Sequence, residues 1–86
     1  MALIRESDVD ILDGEARTPL IHAARYGKME IVSYVLSARA NINHQDRNGS
    51  SALHFAVQER HLKIVEYLLA QGAAVDAKEE HGNTPL

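Results

Sequence analysis

Residues 18–36 read TPLIHAARYGKMEIVSYVL, and residues 51–69 read SALHFAVQERHLKIVEYLL. The second stretch follows the first at an offset of 33 residues, and leucine, alanine, isoleucine, valine and tyrosine recur at matching places. A third copy begins on the same offset with TPL at residues 84–86. A fixed period in this range is typical of a stacked repeat protein, because each unit buries its apolar face only against its neighbours.

The first repeat predicts a pair of helices joined by a tight turn. Thr18 is a suitable N-cap, and Pro19 suits the first helical position, where its missing N–H costs nothing. The first helix is therefore predicted over about residues 19–26, and Gly27 is predicted to end it in the left-handed conformation. A second helix is predicted over about residues 29–38, because apolar residues there lie three and four apart.

The second repeat follows the same plan. Ser51 is its predicted N-cap, the two helices cover about residues 52–59 and 62–71, and Gly72 ends the second. The residues of this last helix that we expect to face inward are Leu62, Val65, Leu68 and Leu69.

The alignment of the repeats predicts one domain over residues 1–86. Residues 1–12 match the end of a repeat, residues 13–45 and 46–78 form two full repeats, and residues 79–86 start a further one. We expect the chain to be a piece of a longer array. Such arrays need roughly three repeats to hold together. We therefore expect self-association through the repeat edges, or ordering by a neighbouring unit.

Composition narrows the function. The net charge is −3, with acids and bases interspersed. Because the sequence has no basic stripe, we do not expect nucleic acid to be a partner. The sequence contains neither a signal peptide nor an apolar run long enough to cross a membrane. Cysteine is absent, which excludes disulfides and thiolate metal sites. These features predict an intracellular protein, cytoplasmic or nuclear, with no membrane partner.

The repeat resembles the ankyrin repeat family over essentially the whole chain. The family pattern is a 33-residue helix–turn–helix–loop with a T-P-L-H-x-A core. The matching segments are Thr18-Pro19-Leu20, Ala23-Ala24-Arg25, Gly27, Leu53-His54, Ala56 and Thr84-Pro85-Leu86. The resemblance implies an all-α helical solenoid whose loop tips and first helices line a concave groove that grips protein partners.

The chain departs from the family pattern in informative places. Ile21 and His22 stand in the reverse of the usual order, so the family's usual histidine hydrogen bonds are not expected in the first repeat. Arg39 and Arg60 stand where the other copy has Gly72 and Gly27. A residue other than glycine in a left-handed conformation costs ~1 kcal/mol.

The residues that could serve catalysis or metal binding are better explained by structural roles. Ser51 and His54 lie three apart like a nucleophile and its base, but a serine at a helix start is an N-cap and no third group orients the histidine. The five histidines never pair at the i,i+4 spacing of a helical metal site. We therefore predict neither catalytic residues nor a bound metal or cofactor.

Positions that differ between the copies and are expected to be exposed indicate the binding surface, because identical positions form the scaffold. The predicted partner-binding residues are Glu15, Arg17, Arg25, Tyr26, Arg47, Asn48, Ser50, Gln58, Glu59, Glu80, His81 and Asn83. Tyrosine and arginine are enriched at binding hot spots, so we expect Arg17, Arg25 and Tyr26 to form the centre of this surface. The charged run at residues 78–81 is either solvated loop or partner contact. The predicted function is a non-catalytic module that binds a protein or peptide on the groove. The alternative is a targeting or inhibitory array of a larger enzyme or effector.

Overall fold

The computed structural model describes residues 9–86 and places four helices in them, without a strand in that range: α1 (Pro19–Tyr26), α2 (Met29–Ser37), α3 (Ala52–Gln58) and α4 (Leu62–Ala70). The all-α fold is confirmed, and α1 and α3 begin 33 residues apart. The last three helices each end one residue earlier than predicted. The partial repeat expected at residues 1–12 lies mostly outside the described residues.

Hydroxyl side chains begin both first helices. The Thr18 hydroxyl accepts a hydrogen bond from the Ile21 backbone N–H at 3.2 Å. The Ser51 hydroxyl accepts one from the His54 backbone N–H at 3.4 Å, and the His54 ring accepts one in return from the Ser51 backbone N–H at 3.0 Å. Each cap satisfies a backbone donor that the helix itself leaves unpaired. The caps therefore fix where α1 and α3 start.

Left-handed residues end all four helices. Gly27 and Gly72 follow α1 and α4 with φ of 73° and 90°. Arg39 and Arg60 follow α2 and α3 with φ of 70° and 59°, as the alignment of the repeats predicts. The two arginines therefore hold a conformation that glycine adopts without steric cost.

The helices form two layers around one apolar core. The first helices α1 and α3 pack against each other, while α2 packs on α1 and α4 packs on α3. Ala23, Ala24 and Ala56 are at most 3% exposed, so small side chains let the helices approach closely. The largest buried side chains are Leu20, Ile21, Leu53, Leu68, Val32, Val35 and Thr18.

The predicted inward face of α4 is partly wrong. Leu68 is fully buried and Val65 packs against the core, but Leu62 is 68% exposed and Leu69 is 38% exposed. Ile64 is buried at 3% instead. Leucine, isoleucine and valine alone occupy five of the eight positions from 62 to 69, which is more than one helix face can hold. The i,i+4 pair of Ile64 and Leu68 takes the buried side.

Candidate protein-binding surface

A carboxylate organises each of the three loop tips, which comprise residues 13–17, 46–50 and 79–83. Asp13 accepts hydrogen bonds from the backbone N–H groups two and four residues later, both at 2.9 Å. Asp46 does the same at 2.9 Å, and Glu79 does so at 2.7 and 2.9 Å. These acids recur every 33 residues in the sequence. Asp13 and Asp46 are identical in the two full repeats, so positions that differ between the copies do not reveal them.

These hydrogen bonds lower the pKa of two of the three carboxylates. The backbone N–H groups of Arg17 and Glu15, with the His22 ring, lower the pKa of Asp13 from 3.8 to about 2. The backbone N–H groups of Asn83 and His81 likewise lower the pKa of Glu79. Hydrogen bonds to a charged carboxylate favour its ionised form. Ionised acids therefore hold the first and third tips in shape.

Backbone hydrogen bonds join the tips side by side. The Arg47 N–H donates to the Glu15 carbonyl oxygen at 3.0 Å, and the Glu80 N–H donates to the Asn48 carbonyl oxygen at 2.7 Å. The side chains of all four residues are exposed. Predicted partner-binding residues from three separate loops are therefore brought into one row.

The predicted residues of the helices lie beside this row. Tyr26 ends α1 and is 59% exposed, and its ring stacks on His22 with the ring centroids 6.4 Å apart. Arg25 is half-buried, whereas Gln58 and Glu59 at the end of α3 are exposed. We call the three tips together with these ends of α1 and α3 the tip–helix surface.

Phe55, at 8% exposure, lies under two arginines of the first repeat. The Arg17 guanidinium lies 5.3 Å from the ring centroid, and that of Arg25 lies 5.7 Å away. Arg25 is also 5.3 Å from the centroid of Tyr26. Such cation–π contacts add to apolar packing. Both arginines are among the predicted partner-binding residues. Phe55 is not, although it stands at the position of His22 in the other copy.

The prediction that Arg17 is exposed is wrong. Only 17% of its side chain is exposed, because Arg17 Nε donates to Asp46 Oδ2 at 3.0 Å, and the Asp46 side chain is only 1% exposed. Asp46 belongs to the next repeat, so this ion pair fastens two repeats together. The predicted exposure is also wrong for Arg25 and for Ser50, which stands at the matching position of the second repeat, since both are half-buried.

The three predicted partner-binding residues of the third tip are exposed. Glu80, His81 and Asn83 all lie at the surface, and His81 Nε2 is 3.5 Å from Glu80 Oε1. The backbone carbonyl of Asn83 accepts from His54 Nε2 at 3.1 Å. Since Nε2 donates, Nδ1 of His54 is the acceptor used by the Ser51 N–H. Ser51 and His54 therefore serve the helix start and the third tip.

The other three histidines also form hydrogen bonds with groups of the fold. His44 Nε2 donates to the Ala16 carbonyl oxygen at 2.9 Å, and His61 Nε2 donates to the Arg25 carbonyl oxygen at 3.0 Å. His22 Nε2 donates to Asp13 at 2.6 Å. Within residues 9–86, no three histidine, aspartate or glutamate side chains gather as a metal site requires.

Helix pairs with a 33-residue period, capped first helices and hydrogen-bonded loop tips together define a helical repeat protein built to present a surface. Sequence comparison identifies which class of repeat this is. Residues 1–86 match the family described as ankyrin repeats, in three copies. The chain belongs to the ankyrin repeat family, whose repeats are non-catalytic modules of protein–protein interaction.

Relatives carry this unit in different settings. A putative ankyrin repeat protein of Acanthamoeba polyphaga mimivirus is 40% identical over 80% of the chain, and a mouse B-cell lymphoma 3 protein homolog is 39% identical over all of it. An L-asparaginase of Dirofilaria immitis is 43% identical over 73% of the chain. The matches span 10%, 19% and 11% of those proteins. None of the four described helices has the length and hydropathy to cross a bilayer.

Proposed function

We propose that the chain binds a protein or peptide partner on the tip–helix surface. The observation that carries this proposal is Tyr26, a large aromatic side chain that is 59% exposed at the end of a well-capped helix. Stacking on His22 and contact with Arg25 limit its motion. A rigid aromatic side chain loses little conformational entropy when a partner covers it.

The remaining residues of the tip–helix surface are suited to form the polar rim of an interface that has Tyr26 in its core. Charged and polar side chains of the three loop tips would supply a polar rim of the kind that borders the core of an interface. The proposed contacts are Glu15, Arg25, Tyr26, Arg47, Asn48, Ser50, Gln58, Glu59, Glu80, His81 and Asn83. Arg17 has a smaller part, because its guanidinium is already paired with Asp46.

Peptides selected from a randomised display library test the proposal. Tyr26→Ala should weaken the selected peptides by ~2 kcal/mol, the loss expected of a hot-spot residue. Lys63→Ala and Glu66→Ala change exposed residues of α4, away from the tips, and should alter binding by no more than about 0.5 kcal/mol. Peptides that tolerate Tyr26→Ala but are lost with the α4 variants would refute the proposed surface.

The exposed edge of α4 requires a control for self-association. Leu62 is 68% exposed there, and the repeat edges are predicted to associate. Sedimentation velocity at the concentrations used for binding separates this association from peptide binding. A dimer that dissociates with Leu62→Gln while peptide affinity is unchanged would show two independent surfaces.

A second candidate function is that of a targeting or inhibitory array within a larger enzyme or effector. The similarity to an L-asparaginase of Dirofilaria immitis, of which the match spans 11%, supports it. The full-length transcript from the source tests this directly. A reading frame that continues into a catalytic domain would favour it, and one that adds only repeats would favour the first.

A further inference from the structure

Two arginines of the first repeat both contact the ring of Phe55, but they differ in their ionic partners. Arg17 donates to Asp46 at 3.0 Å, so its charge is neutralised within the fold. Arg25 makes neither a hydrogen bond nor an ion pair through its side chain with any residue from 9 to 86. Among residues 9–86, the Arg25 guanidinium on the tip–helix surface therefore has no ionic partner.

The Arg25 guanidinium is also held in place. It lies 5.3 Å from the ring centroid of Tyr26 and 5.7 Å from that of Phe55, and its side chain is half-buried. Contact with two rings restricts a long side chain that would otherwise move freely. Its N–H donors still reach solvent, because no buried side-chain nitrogen or oxygen among the described residues lacks a partner. A restricted group with free donors binds at a lower entropic cost.

We propose that Arg25 receives a carboxylate of the partner, namely an aspartate or glutamate side chain of an acidic peptide segment. This rests on the proposed function and names the chemistry of the same surface. A guanidinium presents parallel N–H donors that match the two oxygens of a carboxylate. Phosphate groups are usually recognised by clusters of arginines. Here Asp46 neutralises the second arginine, so the site fits the single charge of a carboxylate.

The test uses peptides selected from a randomised display library and compares the unmodified chain with variants at Arg25. Peptides selected by the unmodified chain should be enriched in aspartate or glutamate at one position. Arg25→Gln should weaken them roughly 10- to 100-fold, the range expected when a hydrogen bond to a charged group is lost. Added salt should weaken binding to the unmodified chain and affect the variant less. Selection against Arg25→Glu should instead enrich lysine or arginine.

Arg39→Gln is the matched control, because it removes the same charge from an exposed residue after α2. It should leave affinity and salt dependence nearly unchanged, and circular dichroism should show all variants folded. Peptides that need Tyr26 but lack an acidic position, and that bind Arg25→Gln normally, would overturn this inference and leave the proposed function standing. Peptides indifferent to both Tyr26→Ala and Arg25→Gln, or a library without binders, would overturn both.

Discussion

Alanine substitution at two left-handed glycines should have unequal costs. Gly27 and Gly72 both have positive φ, at 73° and 90°. A Cβ atom at Gly72 would meet no atom within 4 Å, whereas one at Gly27 would lie 2.8 Å from Cε1 of His61. The first substitution therefore adds backbone strain alone. The second adds strain and displaces a ring from the neighbouring repeat.

The magnitudes follow from these contacts. A left-handed alanine costs ~1–2 kcal/mol, and the lower entropy of its unfolded chain offsets about half of that. Gly72→Ala should therefore lower the free energy of unfolding by ~1 kcal/mol. Gly27→Ala should also break the 3.0 Å hydrogen bond from His61 to the Arg25 carbonyl oxygen. That loss and the overpacking raise its total cost to ~2–3 kcal/mol.

Urea unfolding followed by circular dichroism measures both costs. His61→Ala completes a double-mutant cycle, since it removes the ring that the new methyl group strikes. In that background Gly27→Ala should cost only as much as Gly72→Ala, which corresponds to a coupling of ~1–2 kcal/mol. Equal costs for the two glycines, or an excess that persists without the ring, would refute the proposed contact.

Two further predictions concern strain and acidity. Arg39→Gly and Arg60→Gly should each raise the free energy of unfolding by about 0.5–1 kcal/mol by relieving left-handed strain, and the control Arg39→Ala, which keeps the strain, should show no gain. Folding lowers the pKa of Asp13 from 3.8 to about 2 and lowers that of Glu79 from 4.5. Their contribution to stability is therefore present above these unfolded values and should be lost as pH falls through each lowered folded pKa, which for Asp13 is about 2. The urea midpoint measured against pH should fall over that range, and Asp13→Asn should flatten it; an unchanged slope would count against the role of the Asp13 carboxylate.

The helix starts could be predicted from sequence because their causes are local. Thr18 and Ser51 precede the first helices, and a hydroxyl at that position satisfies a backbone donor whatever the surrounding structure. The left-handed arginines were equally predictable, since the other copy of the repeat has glycine at each matching position. The 33-residue offset therefore supplies an internal alignment that takes the place of a second sequence.

The exposure of single side chains could not be predicted in the same way. Arg17 looked exposed because it differs from Ser50, yet its partner Asp46 lies 29 residues away and only the fold brings them together. Leu62 looked buried because it is apolar, but the packing of α4 decides which of its apolar residues turn inward. Both errors concern tertiary contacts, which depend on the relative placement of elements.

The ion pair between Arg17 and Asp46 bears on the use of this chain as a scaffold for engineered binders. A library designer who follows sequence variability would randomise Arg17 along with the other variable positions. Most library members would then leave a carboxylate unpaired in a buried place, where loss of its cation is strongly destabilising. Diversity confined to Arg25, Tyr26, Gln58 and Glu59 would sample the same surface and keep the repeats fastened.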